Sequence, residues 1–183
     1  MTDDARVASV RKYTGRVINL DVDTVRFPDG TTGDLEIIRH PGASAVVPFL
    51  TDPAGADPQV LLLRQYRYAA SGTLYEIPAG RLEAGELPEH CASRELLEET
   101  GCTAASIVPL TTMFTTPGFT DERIHLFLAT GLTHGEARRE ADEFIEVETV
   151  ALSAALRMVE SGEINDAKTA LGILFAAGFR AGG

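Results

Sequence analysis

The sequence predicts a folded domain of the α/β class, and three patterns support that prediction. Residues 59–67 contain an almost continuous apolar run, which is typical of a strand buried on both faces of a sheet. Residues 86–100 are rich in strong helix formers, with Pro88 in the first turn and Gly101 at the end. Further strand and helix patterns follow, so we expect helices packed on a central sheet.

The N-terminal third is predicted to be all strand. Residues 15–26 alternate apolar and polar side chains, residues 28–30 (Pro-Asp-Gly) signal a turn, and residues 34–39 resume as a second strand. This pattern indicates an antiparallel hairpin. Two more strands are expected at residues 44–50 and 59–67, where the central sheet begins.

The C-terminal half is predicted to alternate between the two kinds of element. A turn-rich segment separates its first two strands, and a polar loop covers residues 131–142. The predicted elements are strands at 106–114, 122–129 and 144–151, and helices at 153–161 and 166–180.

Length and charge exclude several classes of protein. The 183 residues suit one compact domain, and 44% hydrophobic with 23% charged residues is the balance of a globular chain. The formal net charge is −11, and Lys12 and Lys168 are the only lysines, which argues against a nucleic-acid partner.

The cysteines and the apolar stretches bear on location. Cys91 and Cys102 are too few for a disulfide framework, and each lies in an apolar pattern typical of a small buried side chain. The N-terminus has no apolar leader, and no stretch approaches the roughly 20 apolar residues that span a bilayer. We therefore expect a cytoplasmic protein without a membrane partner.

An acidic cluster on the predicted helix is the first chemical signal. Glu98 and Glu99 follow Glu95 by three and four positions, so the three carboxylates project from one helix face. One interpretation is a solvated acidic face on which Arg94 pairs with Glu98. The other is a site for Mg²⁺, which prefers a few carboxylates together with phosphate oxygens. The cluster alone leaves both open.

The spacing of the surrounding residues favours the second interpretation. The segment resembles the Nudix box, and a chance match to its fixed positions is on the order of one in a million for such a chain. Cys102 takes the last aliphatic position of the pattern. The matching positions are Gly80, Glu86, Arg94, Glu95, Leu96, Glu98, Glu99 and Gly101.

The resemblance implies a fold, a metal and a reaction. It implies the Nudix α/β/α sandwich with a mixed sheet over residues 43–183, preceded by a small antiparallel β unit at 1–42 that family members use to form homodimers. It implies hydrolysis of a nucleoside diphosphate derivative with Mg²⁺, or Mn²⁺ in its place. The implied metal ligands are the Ala79 carbonyl, Glu95 and Glu99, with Glu98 nearby.

Flanking segments narrow the resemblance to the ADP-ribose pyrophosphatase branch of that family. Residues 116–122 (Thr-Pro-Gly-Phe-Thr-Asp-Glu) resemble the substrate loop of this branch, and Pro117 comes 16 residues after Gly101. The implied reaction converts ADP-ribose to AMP and ribose 5-phosphate. The implied substrate contacts are Glu36, Arg67, Thr116, Gly118 and Glu122.

Alternatives remain at this stage. The same chemistry on another nucleoside diphosphate sugar, of the GDP-mannose or ADP-glucose type, fits the box equally well. A ligand-sensing protein without turnover is the second alternative, although every glutamate of the box is present. Arg64 is equally consistent with a substrate contact and with a surface ion pair.

The catalytic residues implied by the resemblance are less uniform. This branch commonly takes its base from the loop before the last strand, but Ala141 stands where a glutamate is usual. Glu140 or Glu143 then takes the role, or Glu98 in the box does, and Arg94 is expected to brace the glutamates. The four histidines lack metal-ligand spacing and are interpreted as structural or exposed.

Overall fold

The structure is a computed structural model that describes residues 5–135 and 144–181. The chain divides into two compact units, one formed by residues 1–42 with 113–124 and the other by residues 43–112 with 125–183. The inclusion of 113–124 in the first unit was not predicted from the sequence.

The first unit is a three-stranded antiparallel sheet in the order β1-β2-β3. Its strands are β1 (Arg6–Thr14), β2 (Asn19–Arg26) and β3 (Thr32–Arg39). The predicted hairpin is confirmed as β2 and β3, which pair in continuous register from Asn19 opposite Arg39 to Arg26 opposite Thr32. Strand β1 was not predicted. All nine of its residues are exposed, so it lacks the one-sided apolar pattern by which half-buried strands are found.

Among the described residues, the second unit has two sheets and three α-helices, which confirms the α/β class. One sheet has the order β10-β5-β6 and the other β7-β4-β9-β8. The strands are β4 (Ala43–Pro48), β5 (Gln59–Arg67), β6 (Gly72–Glu76), β7 (Ala79–Arg81), β8 (Cys102–Phe114), β9 (Arg123–His134) and β10 (Ile145–Ala151), and the helices are α1 (Pro88–Thr100), α2 (Leu152–Ser161) and α3 (Ala167–Ala181).

The short strands β6 and β7 were not predicted from the sequence. Strand β9 extends to His134, into the segment 131–142 that was predicted as a loop. Strand β5 agrees with its predicted bounds, and Val60 to Leu63 are all buried, as expected for a strand covered on both faces. None of the described helices is long and apolar enough to cross a membrane.

Helix α1 is attached to the sheet by a small apolar cluster. Ala92, Leu96 and Cys102 pack with Val46 of β4 and Phe127 of β9, all buried. The helix ends at Gly101, which adopts a left-handed φ of 73° and donates its N–H to the Leu97 carbonyl at 2.8 Å. A residue with a Cβ is strained in that conformation, so glycine at this position lets the chain turn directly into β8.

Candidate active site

The acidic face of α1 is turned into the protein rather than toward water. The buried residues of this helix are Cys91, Ala92, Glu95, Leu96 and Glu99, so two carboxylates share a face with the apolar anchors. Glu95 is 7% exposed and Glu99 is 2% exposed. The interpretation of the cluster as a solvated acidic face is therefore wrong for these two residues, because carboxylates on such a face are exposed to water, whereas buried ones need a compensating partner.

Strand β7 packs against these two carboxylates. The N–H of Ala79 donates to Oε2 of Glu99 at 3.0 Å. A Cβ built on Gly80 would overlap the carboxylate of Glu95, so only glycine leaves room for that group. The strand is held by pairing with β4, where Ala79 lies opposite Ala45. The glycine that opens the box thus creates the space in which Glu95 sits.

Arg94 holds the remaining acidic groups together. Its Nε and Nη2 bind the two oxygens of Glu86 at 2.9 and 3.0 Å, and its Nη1 binds Glu95 at 2.5 Å and Glu98 at 3.0 Å. Nη2 also donates to the Arg81 carbonyl at 3.0 Å. Arg94 thus contacts three carboxylates at once, and its role in the reaction stays a prediction.

The ion pairs of Arg94 shift the pKa values of the groups that form them. The hydrogen bond from Arg94 lowers the pKa of Glu86 to about 2. In return, the hydrogen bond with Glu86 is the largest of the effects that raise the pKa of Arg94. Both groups therefore stay charged across the physiological range, and the brace persists there.

The oxygen donors of this site suit a hard divalent cation. Glu95 and Glu99 are buried and Glu98 is partly exposed, and carboxylate oxygens are the ligands that Mg²⁺ and Mn²⁺ take. Within residues 5–135 and 144–181, no three His, Cys, Asp or Glu side chains already form a closed cluster around one point. The residues fit a metal held partly by protein and partly by substrate phosphates.

A second charged group lies elsewhere in this unit. Arg67 binds the two oxygens of Glu76 through Nε at 2.7 Å and Nη2 at 2.9 Å, and Lys168 binds Glu76 at 2.5 Å. Arg64, in contrast, pairs with Glu146 at 3.1 Å on the surface. The ion-pair alternative for Arg64 is thus the one that the structure shows.

Comparison with known proteins places the chain in a family. The model of the NUDIX domain matches residues 40–170, which is most of the chain. The chain belongs to the Nudix family. The resemblance of the box is thereby confirmed.

Several relatives of this Nudix protein carry functional names. The ADP-ribose pyrophosphatase of Bacillus subtilis is 44% identical over 94% of this chain and 92% of its own length. The methanol dehydrogenase activator of Bacillus methanolicus is 37% identical over the same shares. The GDP-mannose pyrophosphatase of Shigella flexneri is 35% identical over 78% of this chain and 81% of its own length.

A solved structure confirms the predicted Nudix fold. The crystal structure of an ADP compounds hydrolase covers 97% of this chain and 94% of its own, with a TM-score of 0.81 and 18% sequence identity. At that identity the likeness shows the fold alone.

The predicted substrate contacts of the first unit lie on β3 and on the loop before β9. Glu36 is an exposed residue of β3. Thr116 accepts hydrogen bonds at its carbonyl from the N–H groups of Phe119 and Thr120, both at 3.1 Å. Glu122 accepts from Thr115 at 2.9 Å, and Gly118 has open space where a side chain would stand. These contacts shape the loop, and its role in substrate binding remains a prediction.

Two predicted catalytic carboxylates fall outside the described part of the chain. Glu140 and Glu143 both lie between residues 136 and 143, as does Ala141. Their candidacy as the general base stays a prediction.

The histidines and cysteines contact other polar groups. Sγ of Cys91 lies 3.4 Å from Nη2 of Arg94 in the acidic site. Nδ1 of His134 lies 3.3 Å from Sγ of Cys102, and Nδ1 of His125 lies 2.9 Å from the Thr112 hydroxyl. Both cysteines are buried and unpaired, as predicted, and burial raises the pKa of Cys91 to about 11. Such a thiol is protonated and unreactive at neutral pH.

Sequence reasoning missed Glu76, the partner of Arg67, and Lys168, the second cation that binds Glu76. Glu76 and Lys168 are 92 positions apart, so no local pattern links them. The available signal for this group was Glu76 itself. A lone acidic residue in a short apolar strand must find a cation when it is buried, and the chain has only two lysines.

Proposed function

We propose that this Nudix protein hydrolyses the diphosphate of ADP-ribose to AMP and ribose 5-phosphate with the help of Mg²⁺. The observation that carries the proposal is the buried pair Glu95 and Glu99. Glu95 occupies the space beside Gly80 and is bound by Arg94, and Glu99 accepts the N–H of Ala79. The loop at 116–122 and the name of the relative that is 44% identical support ADP-ribose as the substrate. Mn²⁺ is the alternative ion, since the ligands suit both.

The metal would be held by Glu95, Glu99 and the Ala79 carbonyl, with Glu98 beside them. When bound, a divalent cation neutralises diphosphate charge and lowers the pKa of a coordinated water. The chain's own residues position the carboxylates. Glycine at position 80 keeps Glu95 in its place, and Arg94 offsets the repulsion among the carboxylates, which would otherwise turn apart.

The substrate would be positioned by Arg67, whose planar guanidinium suits phosphate oxygens. Contacts from Thr116, Gly118 and Glu122 belong to the same proposal and are supported by the match of the loop. Glu36 belongs to it through the family resemblance of its own position in β3. In the reaction, the oxygen of water joins one phosphorus, the bridging phosphorus–oxygen bond breaks, and the water protons pass to a base and to the leaving phosphate. Glu98, Glu140 and Glu143 are the candidates for that base.

Two further features complete the proposal. A homodimer is supported by Val7, Val10 and Tyr13 of β1, which are more than half exposed although apolar. A cytoplasmic location is supported by the two unpaired cysteines. Sedimentation analysis tests the first, and a protein that stays monomeric at micromolar concentration contradicts it.

The decisive experiment is a product-resolved assay of a panel of nucleoside diphosphate sugars with Mg²⁺. AMP released from ADP-ribose much faster than any other cleavage, and lost in Glu99→Gln, supports the proposal. Reaction in ¹⁸O-water with mass analysis of AMP and ribose 5-phosphate then identifies the phosphorus that is attacked. Single Gln variants of Glu98, Glu140 and Glu143 identify the base by the size of the loss in kcat.

A second candidate is the same reaction on a GDP-mannose type of substrate, because a relative 35% identical carries that name. Faster release of GMP than of AMP in the panel favours it. Binding of ADP-ribose without any cleavage contradicts both enzymatic proposals and favours the ligand-sensing alternative.

A further inference from the structure

Glu76 is a buried carboxylate that the proposed reaction does not use. It is 2% exposed, at the end of β6, four residues before Gly80. Arg67 takes both of its oxygens through Nε and Nη2, in the two-pronged geometry that fixes a guanidinium most firmly. Lys168, in the first turn of α3, binds the oxygen that Nη2 also uses.

This arrangement leaves one edge of Arg67 open. Among the described residues, Nη1 is the guanidinium nitrogen of Arg67 without a protein partner. The side chain of Arg67 is 41% exposed, while Glu76 behind it is almost fully buried. An arginine held from behind in this way presents its free N–H groups in a fixed direction, which reduces the entropy lost when an anion binds.

Lys168 is itself fixed by its neighbours. It binds Asp166 at 3.0 Å, and Asp166 accepts from the hydroxyl of Thr169 at 2.6 Å. The same hydroxyl accepts the N–H of Ile77 at 2.9 Å. The first turn of α3 is therefore tied to the backbone and to the side chain of consecutive residues at the end of β6.

The charges of the group are consistent with an ionised Glu76. Burial alone would raise the pKa of Glu76, but the hydrogen bonds and charges of Arg67 and Lys168 outweigh it and hold the pKa below its usual value. The pKa of Arg67 is raised, most by the hydrogen bond with Glu76 and also by the negative charge of Glu99. The negative charge of Glu99, which is proposed to hold the metal, therefore acts on the Arg67 guanidinium.

We infer that Glu76 and Lys168 are positioning residues that orient Arg67 toward the diphosphate of the substrate. The inference rests on the proposed function, since it takes Arg67 as the phosphate contact. Without Lys168, Glu76 loses one of its two cations, and Arg67 is held less firmly. The diphosphate is bound in the ground state and in the transition state alike, so the effect falls on KM more than on kcat.

The test uses Lys168→Met, Lys168→Arg and Arg67→Met in the full chain, with Arg157→Met as the control. Arg157 is an exposed cation on α2 with no role in the proposal. We expect Lys168→Met to raise KM about tenfold with kcat changed less than about threefold, because hydrogen bonds to charged groups are the stronger ones. Lys168→Arg should restore most of the affinity, and Arg157→Met should behave as the wild type.

A double variant separates positioning from a general loss of structure. If Lys168 acts through Arg67, the variant with both substitutions should have the kcat/KM of Arg67→Met alone. Multiplied losses in the double variant, or a wild-type KM in Lys168→Met, overturn the inference. Glu76→Gln, which keeps the side-chain volume, should show the same KM effect if it folds.

Binding of the methylene analogue of ADP-ribose, measured by calorimetry, keeps this test separate from the proposed function. A wild-type protein that cleaves another nucleoside diphosphate sugar contradicts ADP-ribose as the substrate, and the variants are then assayed on the sugar that is cleaved. A protein that binds the analogue without turnover contradicts the enzyme, and the coupling of Lys168 to Arg67 is still read from the binding constants. No binding and no cleavage overturn both.

Discussion

Replacing Gly80 with alanine tests the proposed role of Glu95 as a metal ligand. A Cβ at this position would overlap the carboxylate of Glu95, which is the far end of a flexible side chain. We therefore expect Glu95 to swing away while β7 keeps its backbone. Gly80 does not have a positive φ, so alanine is not strained there.

The expected change in metal affinity follows from the displacement of the Glu95 carboxylate. Disturbing the groups that orient a metal ligand typically lowers metal affinity about 10- to 100-fold, or about 1.4 to 2.8 kcal/mol. The free energy of unfolding should change by less than about 1 kcal/mol, because alanine restricts the unfolded chain and offsets the weakened pair with Arg94. Affinity and stability are thus expected to separate.

The assay is Mn²⁺ binding, followed by calorimetry or electron paramagnetic resonance, together with urea unfolding. Gly72→Ala is the matched control, since Gly72 lies in β6 and has nothing within 4 Å of a built Cβ. Wild-type Mn²⁺ affinity in Gly80→Ala would refute Glu95 as a ligand. A loss of stability above about 3 kcal/mol would show instead that Gly80 is needed for the fold.

Three further outcomes are expected. Glu99→Gln should lower kcat at least about 100-fold, while thermal unfolding stays near that of the wild type because the amide oxygen still accepts from Ala79; wild-type turnover would contradict the metal assignment. Leu96→Ala, at a fully buried position, should cost about 2 to 5 kcal/mol in urea unfolding, and a loss below 1 kcal/mol would contradict the packing of α1. The pKa of Glu86 is lowered from 4.5 to about 2, so its stabilising effect is complete above pH 4.5 and lost as pH falls toward 2. Glu86→Gln should therefore show a flatter fall in unfolding free energy over that range, and an unchanged slope would contradict the pairing with Arg94.

Elements with a strong one-dimensional pattern were predicted from the sequence. Helix α1 has a proline in its first turn and a glycine after its last residue, and β5 has a run of apolar side chains between polar ends. Both signals arise from the element itself. Strand β1 has neither, because its stability comes from pairing with β2 rather than from burial of one face.

In the candidate site too, the residues that follow a local pattern were predicted and those that depend on tertiary packing were not. Glu95 and Glu99 were predicted because the period of the helix places them one turn apart, whatever the rest of the chain does. The link between Glu76 and Lys168 depends on the packing of α3 against β6, which no local spacing encodes. Sequence reasoning thus reached the carboxylates of the box and missed the cation that supports Arg67 from behind.

The spacing of the box itself has a physical cause in this structure. Glu86 accepts the N–H of Glu83 at 3.0 Å and holds Arg94 by two hydrogen bonds, so the loop before α1 is closed onto the helix. That closure directs Nη1 of Arg94 to Glu95, and Gly80 leaves the space which Glu95 then occupies. Glu86, Arg94 and Gly80 therefore fix the position of a carboxylate that is proposed to bind the metal. A chain that kept the three glutamates but changed Glu86 or Arg94 should fold the same helix and hold Glu95 less firmly, which explains why the whole pattern, and not the acidic cluster alone, identifies the site.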